Sequence, residues 1–132
     1  MRTESPIIML VDDDEDLLSL MKTGLEERGY RVDARTTAPR KEDITGLNPA
    51  VIFMDIGLRD ENGAALCRAI KHDARATGTP VILISAHDDA LLHQEAASGL
   101  ADGCLRKPFS MEELHALAAQ YAADPQAEHV AN

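Results

Sequence analysis

Val51-Ile52-Phe53-Met54-Asp55 runs four apolar residues into a carboxylate. An apolar run of that length with β-branched residues in front predicts a strand buried on both faces, as in a parallel sheet. In open parallel sheets the ligand crevice lies beyond the carboxyl ends of the strands, so a polar residue at that exit is placed for chemistry. We read Asp55 as a nucleophile. The plainer reading is a turn cap, since Asp side chains bond nearby backbone N–H groups.

Upstream, Ile7-Ile8-Met9-Leu10-Val11 predicts a first buried strand, and Asp12-Asp13-Asp14-Glu15-Asp16 follows it directly. Asp14, Glu15 and Asp16 suit the first turn of a helix, where acids meet the positive end of the dipole. Asp12 and Asp13 lie at the strand end itself and are not covered by that explanation. The helix runs to about Arg28, with Leu17, Leu18, Leu20, Met21 and Leu25 expected inward and Gly29 as its stop. Arg31 to Arg35 predicts a more polar strand suited to a sheet edge. Pro39 opens a short helix through about Thr45, and Asn48-Pro49 breaks the chain before the central strand.

Downstream of Asp55, Ile56 to Gly63 is expected as a loop and Ala64 to His72 as a helix with Leu66, Ala69 and Ile70 inward. Val81-Ile82-Leu83-Ile84 is a fourth buried strand that ends on Ser85. Asp88 or Asp89 caps a helix through about Ala97, and Cys104 to Arg106 is a short last strand leading into Lys107-Pro108-Phe109. Ser110 and Glu113 spell a capping box for a closing helix with Met111, Leu114, Leu117, Ala118 and Tyr121 on one face. Strand and helix alternate five times, which predicts right-handed crossovers and a three-layer α/β/α architecture with a parallel sheet.

Composition narrows the function. The 132 residues carry 23 acidic and 13 basic side chains, a net charge of -10 that repels nucleic acid phosphates and anionic lipid heads. Direct DNA binding is not expected. The two cysteines, Cys67 and Cys104, show neither pairing nor metal-ligand spacing and read as reduced residues of a cytoplasmic protein. The apolar run Ile7–Val11 is far shorter than the roughly 20 residues of a membrane span. Residues 1–123 are expected to form one domain and 124–132 a flexible tail.

Polar groups thus stand at four strand exits: Asp12 and Asp13, Asp55, Ser85 and Lys107. If the first and third strands are neighbours, three carboxylates converge, and like charges so placed need a counterion. Mg²⁺ suits oxygen ligands and keeps room for phosphate oxygens. Three carboxylates, one lysine and one Mg²⁺ sum to zero charge, so a dianionic phosphoryl group could enter. Lys107 and the Ser85 hydroxyl would cover its remaining oxygens while Asp55 attacked phosphorus in line. Taken singly, Ser85 is a strand cap and Lys107 a solvated charge.

The Val11-Asp12-Asp13 strand end, Asp55 followed by Gly63, Ser85-Ala86 and Lys107-Pro108-Phe109 together resemble the receiver domain of bacterial two-component response regulators, over roughly Ile7 to Ala123. The resemblance implies a flavodoxin-like fold of strand order 2-1-3-4-5. It implies that Asp55 accepts phosphate from a phosphohistidine of a sensor histidine kinase or histidine phosphotransfer protein. It further implies Mg²⁺ held by Asp12, Asp13, Asp55 and the backbone carbonyl of Gly57, a cis Lys107-Pro108 bond, and a switch region of Ser85, Ala86 and Cys104. Cys104 stands where receivers often carry an aromatic ring that swings inward, and Arg59 where proline is common.

The expectation is a single-domain response regulator, monomeric or dimerising on phosphorylation, that signals to a downstream protein or onward in a phosphorelay and catalyses at most its own phosphorylation and dephosphorylation. A small aspartate-nucleophile phosphohydrolase would use Asp12 with Asp14 and leaves Asp55 without a role. A flavodoxin would need a phosphate cradle where this chain has five acids. A receiver-shaped interaction module that is never phosphorylated is the remaining alternative.

Overall fold

The computed structural model describes residues 5–55, 69–73, 78–86 and 102–122. Five strands, β1 (Ile7–Val11), β2 (Arg31–Arg35), β3 (Val51–Asp55), β4 (Val81–Ala86) and β5 (Gly103–Lys107), form one sheet of order β2-β1-β3-β4-β5. Every pairing is parallel. Three helices are bounded in full: α1 (Glu15–Glu27), α2 (Lys41–Leu47) and α3 (Met111–Tyr121). Residues 69–73 are also helical.

Successive side chains of a strand point to opposite faces, so a continuous apolar run serves two cores at once. Ile8, Leu10, Phe53, Ile82, Ile84 and Leu105 pack on one face with Leu18, Met21 and Leu25 of α1 and Leu114 and Ala118 of α3. Met9, Val11, Ile52, Met54, Val81 and Leu83 pack on the other with Ile44 of α2 and Ile70. The three-layer α/β/α fold, with the flavodoxin-like order expected from the resemblance, is what the chain adopts.

Local signals set the helix ends. The Asp14 carboxylate caps α1 by accepting the N–H groups of Asp16 and Leu17. Gly29 ends it with a φ of 97°, a left-handed conformation that costs a glycine nothing. At α3, Ser110 and Glu113 exchange the two bonds of a capping box. The expected helix start at Pro39 is corrected: Arg40 is the N-cap, its N–H donates 2.8 Å to Asp43 Oδ2, and α2 runs from Lys41 to Leu47.

Two inward assignments are also corrected. Leu20 is 60% exposed, because it lies two residues from Leu18 and so nearly on the opposite side of the helix. Ala69 is exposed while its neighbour Ile70 is buried. β5 is one residue longer at each end than expected. The expected loop from Ile56 to Gly63, the expected helical residues 64–68, the expected helix capped by Asp88 or Asp89 and the expected tail from Asp124 lie outside the described residues. No helix among the described residues is long and apolar enough to cross a membrane.

Candidate functional site

Because β1 and β3 are adjacent and parallel, their carboxyl ends open on the same edge. Val11 is paired with Met54, so the next residue of each chain segment, Asp12 and Asp55, emerges side by side. Asp55 is the last residue of β3 and 6% exposed; Asp12 is 1% exposed; Asp13 is half-buried. Ligand oxygens of Asp12, Asp13 and Asp55 lie within 4.8 Å of one another. Lys107 ends β5, two strands from β3, and its side chain reaches back so that Nζ donates 2.9 Å to Asp55 Oδ2. The same ammonium is 3.3 Å from Asp12 Oδ2.

The two oxygens of Asp12 are treated differently. Oδ1 accepts the N–H of Asp14 at 2.9 Å, a local turn of the kind Asp favours. Oδ2 is buried and has no hydrogen-bond donor aligned on it; its approach to Lys107 is an ion pair without a directed bond. Burial foremost, and then the charge of Asp55, push the Asp12 carboxyl above the ordinary range against the pull of the Asp14 amide and Lys107. Burial alone would lower Lys107. The hydrogen bond to Asp55 and the charges of Asp55 and Asp12 outweigh it and raise its pKa, so the ammonium stays charged.

The residues present fit a divalent cation. The donors are all carboxylate oxygens, the preference of a hard ion, and one buried oxygen lacks a donor. One lysine shared between Asp12 and Asp55 compensates only part of the charge of three carboxylates.

The structure therefore gathers Asp12, Asp13, Asp55 and Lys107 into one crevice. Ser85 is wholly buried and directly follows Ile84, the residue paired with Asp55. The Lys107-Pro108 bond is cis, as the resemblance implied. Cys104, exposed, is paired with Leu83 and lies three residues before Lys107 on β5. Gly57 and the Ala86 side chain lie outside what is described. Two contributors went unread in the sequence: the Asp14 amide that holds Oδ1, and the Arg35 carbonyl that accepts the Asp12 N–H at 3.2 Å. The Asp-x-Asp spacing carries the first signal; the second depends on strand register and has none.

Comparison with known proteins identifies the family. The family model of the response regulator receiver domain matches residues 8–119. The chain is 35% identical over 111 residues to the nisin biosynthesis regulatory protein NisR of Lactococcus lactis subsp. lactis, covering 81% of this chain and 46% of that protein. It is 34% identical over 111 residues to the transcriptional regulatory protein GltR of Pseudomonas aeruginosa, covering 81% and 45%. The chain thus spans about half the length of the curated relatives it matches. Among solved structures, the N-terminal domain of the nisin resistance regulator NsrR superposes with a TM-score of 0.74 at 29% identity over 89% of this chain and 98% of that one. A response regulator receiver protein from Burkholderia phymatum gives 0.72 at 26% identity over 92% and 99%. With fold, matched span and relatives in agreement, the chain belongs to the response regulator receiver domain family.

Proposed function

We propose that Asp55 accepts a phosphoryl group from a phosphohistidine of a sensor histidine kinase or histidine phosphotransfer protein, in a reaction that depends on Mg²⁺. Receiver domains are phosphoacceptor signalling domains of two-component systems, phosphorylated by histidine kinases. What supports the residue assignment is the convergence of Asp12, Asp13 and Asp55 within 4.8 Å beside Lys107.

In this reading an Asp55 oxygen forms the new P–O bond as the P–N bond to the donor imidazole breaks, and the imidazole leaves with a proton from solvent. Asp55 is held by its place at the end of a buried strand, which fixes the direction of attack. Asp12, Asp13 and Asp55 would hold the cation, with the Gly57 carbonyl as the further ligand the family resemblance implies, and Mg²⁺ when bound would supply the positive charge that lets an anionic phosphoryl group approach three carboxylates. Lys107 is already drawn to Asp55 and pairs with an oxygen of the incoming group. Ser85, at the neighbouring strand end, offers the hydroxyl that follows the phosphoryl group.

The product is an aspartyl phosphate, a local gain of about one to two negative charges. Residues 1–123 act as one receiver domain, and the change is read by a partner protein or passed on as phosphate. Cys104 in place of an aromatic residue makes switching depend on the segment around Ser85 and Ala86 without a swinging ring. The test is incubation with Mg²⁺ and acetyl phosphate followed by intact mass. One phosphoryl group is expected on the native chain and none on Asp55→Asn; equal labelling of both removes Asp55 from this role.

A further inference from the structure

We propose that Arg35 is a positioning residue for Asp12: its ion pairs with Asp33 and Asp43 fix the strand end whose carbonyl holds the Asp12 backbone at the cation site. This inference rests on the function proposed above.

Asp12 stands one residue past the end of β1, and its main chain is tethered toward β2 by the 3.2 Å bond from its N–H to the Arg35 carbonyl. That carbonyl belongs to the last residue of an edge strand only five residues long, none of whose residues is fully buried. Edge-strand ends with a neighbour on one side only are where a sheet opens most easily. Here the end is tied down from its own side chain. Arg35 Nε donates 2.8 Å to Asp33 Oδ2, and Arg35 Nη1 lies 3.0 Å from Asp43 Oδ2. The same Asp43 oxygen accepts the Arg40 N–H that opens α2, and one residue later Ile44 is wholly buried in the core. A continuous path therefore joins the core to the Asp12 amide through Ile44, Asp43 and Arg35. The Arg40 amide first, and then the charge of Arg35, keep Asp43 below the ordinary carboxylate range, so the path is intact at neutral pH.

Both pairs are partly exposed, with side-chain exposures of 25% for Arg35 and 31% for Asp43, so each is modest. Pairs of this kind change an equilibrium by about two- to fivefold. The experiment uses Arg35→Gln combined with Asp43→Asn, which leaves net charge unchanged and so separates position from long-range attraction for the cation. Amide hydrogen exchange should quicken at Asp12. The Mg²⁺ concentration giving half-maximal phosphorylation by acetyl phosphate should rise by about two- to fivefold, with the rate at saturating Mg²⁺ unchanged. Arg35→Lys, which retains a cation, should recover part of the shift. Lys22→Gln with Glu26→Gln, which breaks an exposed pair on α1, should move neither quantity.

Unaltered exchange at Asp12, or quicker exchange with the same Mg²⁺ dependence, would overturn the inference. So would a fall in the saturating rate with no change in half-saturation, since that is what general loosening produces. Failure of the unsubstituted chain to bind Mg²⁺ would instead strike at the proposed function, and Asp12 exchange in the double variant would still report on the tether by itself.

Discussion

Asp12 is held by one oxygen and strained by the other. Its Oδ1 has the Asp14 amide, while its Oδ2 is buried without an aligned donor. Because burial raises its pKa above the unfolded value of 3.8, the stability this group contributes is fully present only below that value and is lost as pH rises through the folded pKa. The cation-free protein therefore carries a cost at neutral pH that Asp12→Asn should relieve. The variant is expected to be more stable by about 1 kcal/mol in the presence of chelator, the low end of the cost of an unsatisfied buried polar atom. A lower melting temperature for Asp12→Asn in chelator would contradict this. The linkage also runs through the cation: protons compete for the same oxygens, so the rise in melting temperature on adding Mg²⁺ should shrink as pH falls from neutral through the raised pKa of Asp12. A Mg²⁺ effect that grows in acid would be incompatible with Asp12 as a ligand. Lys107 has the same sign in a far more alkaline window. Its raised pKa leaves its ion-pair contribution complete below the ordinary lysine value of 10.5 and lost only at more alkaline pH. At this scale Asp55 was legible because it ends a wholly buried apolar strand, whereas Lys107 closes the mixed strand β5 and was marked by the Lys107-Pro108-Phe109 motif of the resemblance. The division of labour between the two Asp12 oxygens was not, since it depends on where a neighbouring amide and a distant lysine come to rest.

Among the elements, α3 carries the segment Lys107-Pro108-Phe109 into the fold, and its first turn is secured by Ser110 and Glu113. Ser110→Ala should cost about 1 kcal/mol, as the loss of an N-cap usually does, visible as a lower denaturant midpoint with an unchanged slope. No change in midpoint would mean that the cap bonds seen here are replaced by water at no cost. α3 also leans closely on α1. A Cβ added at Gly24 would lie 2.5 Å from Met111 Sδ, and His115 Nε2 meets the Gly24 carbonyl at 2.9 Å. The capping box and the Gly29 stop were readable because each is a local device with its own residue types. The start of α2 differs from the sequence expectation for the complementary reason. Proline permits a helix to begin, but the bond between the Arg40 amide and Asp43 is what begins it. Leu20 is apolar and so expected inward, but its helical angle sets it on the outer side.

For the whole molecule, the order β2-β1-β3-β4-β5 does the essential work, because it makes β1 and β3 neighbours and so brings acids distant in sequence to one edge. The sequence pattern of alternating strands and helices foretold a parallel sheet; the order of its strands came only with the family resemblance, since no local signal encodes which buried strand lies beside which. The centre of that sheet is unforgiving. Phe53 is wholly buried among residues of both α1 and α3, and Phe53→Ala should lose about 3 to 5 kcal/mol, enough to unfold a domain of ordinary stability.

The most direct test of the account is a calorimetric titration of the native chain with Mg²⁺ beside Asp12→Asn, Asp13→Asn and Asp55→Asn. The account predicts one ion bound per native chain and weaker binding in each of the three variants. Binding that survives all three substitutions unchanged would show that these carboxylates, though gathered at one edge of the sheet, do not form the cation site.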